Sequence, residues 1–157
     1  MRWFRSADAA VPPEQYEAYI EQNRTWNFMV NMLDLTFFYL AMSFIFGATV
    51  LSLYTSYLTS SAVLIGLIPA LQNVSFFWPQ LIMARHAQRL PRKKPLIAKI
   101  SLLERFPYLF VALLALLWPA APRGLAYGVL AFSLLVAASA GGLASPAWRG
   151  MLAKVIP

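Results

Sequence analysis

Cysteine is absent from this chain of 157 residues, and histidine occurs only once, as His86. The absence of thiols excludes a disulfide, a thiolate nucleophile and a thiolate metal site. A single imidazole does not supply the ligands that a zinc centre needs. The sequence therefore predicts no metal site.

The sequence also lacks any arrangement of residues that is typical of catalysis. There is no Ser-His-Asp set, no pair of carboxylates in a pocket and no glycine-rich loop that would hold phosphates. We therefore expect a protein that is not an enzyme and that uses no cofactor.

Charged residues are scarce and unbalanced in sign. They make up 12% of the chain, whereas soluble domains contain about 25%. The 13 basic and six acidic residues give a net charge of +7. Because the basic residues lie beside apolar spans and form no soluble basic face, we expect no nucleic-acid partner.

Hydrophobic residues account for 60% of the chain, more than a domain of this size can bury. They concentrate in four apolar spans, each long enough to cross a hydrocarbon core of about 30 Å as a helix. Lipid offers no partner for unpaired backbone groups, so helices are expected. The sequence predicts an all-α integral membrane protein whose partner is the lipid bilayer, with four transmembrane helices at about 31–54, 61–84, 96–118 and 124–145.

The segments outside the spans indicate how the chain is oriented. Residues 1–28 form a polar N-terminal tail, either a short interfacial helix or a poorly ordered segment, and 29–157 is the membrane region, ending in a tail at 146–157. The connection between the second and third spans contains five basic residues, whereas the opposite side has only Arg123. Since basic loops stay in the cytoplasm, both tails are predicted to be cytoplasmic.

Ionisable side chains inside the spans are costly and often functional. Asp34 lies early in the first span, and Glu104 and Arg105 lie within the third. One interpretation is that these residues form a site for an ion, a proton or a substrate. The other is a structural pair, such as Arg105 with Asp34. Because neighbours on a helix point about 100° apart, we expect that Glu104 and Arg105 do not both face one narrow path.

The fourth span is rich in small residues spaced four apart. The pairs are Gly124 with Gly128, Ala137 with Gly141, and Ala138 with Gly142. This spacing lets membrane helices approach each other closely and pack by van der Waals contact.

The segment A-R-H-A-Q-R-L-P-R-K-K-P, at 84–95, resembles the signature loop G-x-L-A-D-R-x-G-R-R-[KR] of the major facilitator superfamily. N-M-L-D-L-T-F-F at 31–38 and T-V-L-S-L-Y at 49–54 resemble the first helix of bacterial facilitators. S-P-A-W-R-G-M-L-A-K-V-I-P at 145–157 resembles the segment that follows their fourth helix. The matching loop positions are Ala84, Ala87, Gln88, Arg89, Pro91, Arg92 and Lys93, and Gln88 stands where the family has Asp.

The resemblance implies a secondary transporter that moves a small solute, with or without a coupling ion, by alternating access. The chain would be the first part of the N-terminal six-helix half of such a transporter and would pair with missing C-terminal helices. It would lie in the plasma membrane, which we expect to be the inner membrane of a bacterium. The loop would be a cytoplasmic gate, with Asn31, Asp34, Gln72 and Asn73 on the substrate path. Without its family neighbours, we expect the Gly124/Gly128 and Ala137/Gly141 faces to be left against lipid.

Two other functions fit the same residues. One is a self-contained four-helix protein that works as an oligomer, like a small multidrug exporter, although such exporters place a Glu deep in their first helix, which this chain does not. The other is a membrane scaffold without transport activity.

Overall fold

The computed structural model describes residues 13–89 and 93–155, and within these ranges the chain is helical, without a strand. Six α-helices and one π-helical segment follow one another along the chain. They are α1 (Pro13–Gln22), α2 (Arg24–Ser43), the π segment (Gly47–Leu51), α3 (Ser52–Leu58), α4 (Ala62–Arg89), α5 (Lys94–Leu117) and α6 (Arg123–Val155).

Four stretches of the described chain are long and apolar enough to cross a membrane, which confirms the predicted number of membrane-length helices. They comprise 35, 26, 24 and 31 residues, each above the roughly 20 that a helix needs to cross hydrocarbon. They are Arg24–Leu58, Ala62–Ala87, Lys94–Leu117 and Arg123–Ala153.

The N-terminal segment contains a short helix, Pro13–Gln22. A helix was one of the two forms predicted for this segment. Its position at a membrane interface stays a prediction, and residues 1–12 lie outside the described part. At the other end, α6 continues through Pro146 to Val155, ten residues past the predicted end of the fourth span.

The first span, predicted as a transmembrane helix over about 31–54, is interrupted within its length. Helix α2 ends at Ser43, Phe46 has an extended backbone (φ −71°, ψ 124°), and the π segment starts at Gly47. Glycine disfavours a helix interior, and the β-branched Thr49 and Val50 that follow give it little support. The interruption divides the span into α2 and a shorter second half that packs on α4 and α6.

Helix α6 is the centre of the fold, since its most extensive contacts are with α4 and α5. Its buried face consists mainly of alanine, which lets the helices lie close together. The buried hydrophobic residues of α6 are Ala126, Leu130, Leu134, Ala137, Ala138, Ala140, Ala144 and Ala147. Leu130 and Leu134 join Leu51 and Ile68 in a core cluster between the helices.

Gly142 marks the closest approach of α6 to α4. A β-carbon there would collide with the backbone carbonyl oxygen of Phe76 and would lie 3.1 Å from its carbonyl carbon. The prediction that Ala138 and Gly142 allow close packing is therefore confirmed. Because Ala137 and Gly141 are also buried within the chain, the expectation that they face lipid was wrong.

Gly124 and Gly128 do not serve packing within the described chain. A β-carbon at either position would meet nothing within 4 Å. Both residues are exposed on the surface of α6, as expected for a face left against lipid.

Candidate functional site

A cleft of about 210 Å³ opens between the last part of α2 and the middle of α5. Glu104 lies ten residues after Lys94, about 15 Å along the axis of α5. The cleft is therefore at membrane depth on that helix. Its lining residues are Asp34, Phe37, Phe38, Ala41, Met42, Ile45, Glu104, Arg105 and Tyr108.

Glu104 forms the inner wall of the cleft because α6 leaves room for it. A β-carbon on Gly141 would lie 2.9 Å from the Glu104 Oε1 atom, so a side chain there would require the Glu104 carboxylate to move. Glu104 is half-buried. The small-residue face of α6 thus has a second effect: besides packing the helices, it positions an intramembrane carboxylate.

The structural ion pair between Arg105 and Asp34 does not form, so that expectation was wrong. Arg105 instead donates a hydrogen bond from Nη1 to the backbone oxygen of Ser101 in its own helix, at 3.2 Å. Across the described residues the single ion pair is Arg24 with Glu21, at 3.6 Å near the start of α2.

Glu104 and Arg105 both line the cleft, although they are neighbours on one helix. The cleft is an open groove along α5 and not a narrow channel, so the expectation that they do not both face one narrow path stays a prediction. The long Arg105 side chain is exposed and runs along the groove, while the Glu104 carboxylate points towards α6.

The Gln72 side chain stabilises the interruption of the first span through two hydrogen bonds. The backbone N–H of Gly47 donates to Gln72 Oε1 at 2.9 Å. The Gln72 amide nitrogen donates to the Ile45 carbonyl oxygen at 3.4 Å. The Ile45 carbonyl belongs to the non-helical turn and the Gly47 N–H to the first residue of the π segment. Both would otherwise be unpaired at membrane depth, where each costs free energy.

Gly47 is required at this contact. It is buried, and a β-carbon would collide with the Gln72 side-chain oxygen and lie 3.2 Å from the Cα atom of Pro69. The close approach of α4 to the π segment therefore depends on both Gly47 and Gln72. We call these two residues, with Ile45, the amide clamp.

Tyr108 connects the amide clamp with the cleft, and it was not among the predicted site residues. Its hydroxyl lies beside the Gln72 side chain, and Glu104 is one helical turn earlier on the same face of α5. The position of Tyr108 four residues after Glu104 was the available signal.

The four predicted path residues are brought together only in part. Asp34 lines the cleft, and Gln72 binds Ile45, which also lines it. The amides of Asn31 and Asn73 instead donate to carbonyl oxygens one turn back in their own helices, those of Asn27 and Pro69, at 2.7 and 2.9 Å.

The basic connection between α4 and α5 is described only at its ends. Ala84 is half-buried and Ala87 is buried against the bundle. The Lys93 ammonium group lies against Gly150, near the C-terminal end of α6. The predicted gate residues Pro91 and Arg92, and the side chains of Gln88 and Arg89, lie outside the described part.

Comparison of the chain with protein-family models, with curated proteins and with solved structures found no match.

Proposed function

We propose that this chain is the N-terminal part of a secondary transporter of the major facilitator type, which moves a small solute across the plasma membrane by alternating access. The observation that carries this proposal is the membrane-depth cleft between the interrupted first span and α5. It contains two carboxylates and a guanidinium group, Asp34, Glu104 and Arg105, that form no ion pair among the described residues.

The interruption of the first span supports a transport function. Non-helical backbone within a membrane is tolerated where it is buried in protein or lines a cavity, and broken helices recur at the substrate sites of transporters. Here Ile45 belongs both to the interruption and to the wall of the cleft. A solute in the cleft would therefore touch the break directly.

The contact of Lys93 with Gly150 supports the gate role of the basic loop. A cation near the C-terminal end of a helix is stabilised by the partial negative charge of the last carbonyl groups. Because Lys93 lies against the end of α6, the loop is in a position to latch α4 and α5 to that helix on the side proposed to be cytoplasmic.

A small exporter that works as an oligomer is the second candidate, and one observation favours it. No residue of α2 is fully buried in the described chain, so most of the surface of this helix is open to lipid or to other helices. In the facilitator proposal the missing helices cover part of α2, whereas in the exporter a second copy covers it.

Topology gives the first prediction. A reporter enzyme that is active only in the cytoplasm should work when fused after Pro95, because five basic residues hold that connection inside. A reporter that is active only outside should work after Ser60 or Arg123. Activity in the reverse pattern would contradict both the orientation and the facilitator proposal.

Solute flux gives the second prediction. Residues 1–157, purified and reconstituted in liposomes, should insert but show no saturable uptake or counterflow of sugars, organic acids, amino acids or cationic dyes. The same segment continued through its downstream reading frame should transport one of these classes, because alternation needs two halves that move against each other. Saturable flux from a defined oligomer of 1–157 would instead favour the small exporter.

A further inference from the structure

The charges around the cleft do not balance. Glu104 and Asp34 each bring a carboxylate and Arg105 brings one guanidinium group, which leaves one negative charge in excess when all three are ionised. No described residue forms an ion pair with either carboxylate. An unpaired charge at membrane depth is costly, and a bound cation would reduce that cost.

The end of α2 adds to the negative potential. The carbonyl end of a helix carries a partial negative charge equivalent to roughly half an elementary charge. Helix α2 ends at Ser43, and Met42 and Ile45 on either side of that end line the cleft. Transporters use the C-terminal ends of broken helices to hold cations in the same way.

The remaining walls are aromatic and apolar. Phe37 and Phe38 contribute from α2, and Tyr108 contributes from α5. The faces of aromatic rings attract organic cations and also contact hydrocarbon groups. A strongly hydrated inorganic ion would gain little from such walls, whereas an ammonium group on an aromatic or alkyl body would use both the charge and the rings.

We propose that the cleft between α2 and α5 binds a small organic ammonium ion, with Glu104 on the inner wall and Asp34 on the outer wall as its counter-ions. Phe37, Phe38 and Tyr108 surround the hydrocarbon part of the ligand. This inference rests on the proposed transport function and adds the chemical class of the solute.

Equilibrium binding to the chain in phosphatidylcholine nanodiscs tests the proposal. Three probes of one shape differ in charge: phenethylamine is a cation at pH 7, 2-phenylethanol is neutral and phenylacetate is an anion. Calorimetric titration, corrected with empty nanodiscs, should give saturable binding of the amine. The alcohol and the acid should bind at least about tenfold more weakly, since they lack the charge-assisted hydrogen bond. Equal binding of the amine and the alcohol would overturn the proposal.

Variants that remove a charge but keep the size of the side chain test which carboxylates bind the amine. Glu104→Gln and Asp34→Asn keep the size of each side chain and should each weaken amine binding about tenfold. Glu17→Gln removes an acid that is exposed on α1, and amine binding should not change. If both cleft variants bind the amine as the wild type does, the carboxylates are not its counter-ions and the proposal is wrong.

A second pair of variants tests the aromatic wall without changing charge. Phe37→Leu should weaken binding of the amine several-fold, because it removes a ring face. Phe44→Leu alters an exposed phenylalanine outside the cleft and should leave binding unchanged. Thermal unfolding midpoints of all variants, measured in the same nanodiscs, show whether a loss of binding comes from unfolding, and an unfolded Phe37→Leu is replaced by Phe37→Met. Equal affinities in the folded variants at positions 37 and 44 would contradict the aromatic wall.

The two proposals fail in different ways. If phenethylamine binds as described but no polypeptide containing this chain transports any solute, the cation site stands and the transport function fails. If transport occurs but only neutral or anionic solutes bind, the transport function stands and the cation site fails.

Discussion

Gly142→Ala should separate α4 from α6 and produce the largest loss of stability of any single-methyl addition to this protein. The added β-carbon collides with the carbonyl oxygen of Phe76, which is backbone and cannot rotate away as a side chain does. Overpacking a membrane or soluble core typically costs about 1–3 kcal/mol, and a collision with backbone belongs at the upper end of that range. Gly142→Leu should prevent the native packing altogether.

Unfolding of the purified protein in mixed micelles with increasing amounts of denaturing detergent measures this effect. Gly128→Ala is the matched control, because it lies on the same helix and its β-carbon would meet open space. That variant should change the free energy of unfolding by less than about 1 kcal/mol, in the favourable direction, since alanine is the better helix former. If Gly142→Ala is as stable as Gly128→Ala, α4 and α6 are not in close contact at this point.

Loss of the amide clamp should be nearly as damaging. In Gln72→Leu the backbone N–H of Gly47 and the carbonyl of Ile45 lose their partner, and each unpaired buried group costs about 1–3 kcal/mol. The leucine also cannot stabilise the turn between α2 and the π segment. We expect a lower free energy of unfolding and faster hydrogen exchange at the amide of Gly47.

Asn73→Leu is the control for this prediction. Asn73 is the next residue of α4, is exposed, and donates only to Pro69 in its own helix. Its replacement should change the free energy of unfolding by about 0.5 kcal/mol or less. Gly47→Ala offers an independent check, since its β-carbon would displace Gln72 from the other side. Unchanged exchange at position 47 in Gln72→Leu would show that the interruption does not depend on the clamp.

The amide clamp also illustrates why the break in the first span was not predicted from the sequence. A single glycine within an apolar span is common, and Gly47 by itself does not indicate a break. What stabilises the break is an amide 25 residues later, which satisfies two groups of the turn. From the family resemblance, Gln72 was expected on the substrate path. In the described structure it joins helices.

The small residues of α6 also differ in a way that the sequence did not show: some pack against other helices and some face outwards. The four-residue spacing predicted close packing at three pairs with equal weight. Only the pairs that include Gly141 and Gly142 face other helices of the chain, whereas Gly124 and Gly128 face outwards. Spacing shows that two small residues share a helix face, but it does not show which face turns inwards.

The number of membrane-length helices and the absence of strands from the described ranges were determined by the sequence alone. The reason is local: in lipid each helix must satisfy its own backbone, so length and apolarity are sufficient evidence. The tertiary structure decided three other features. These are the break at Phe46, the room that Gly141 makes for Glu104, and the cleft that holds Asp34 and Arg105 without pairing them. Each of these depends on the rotation and distance of one helix relative to another, which follow from packing between residues far apart in the chain.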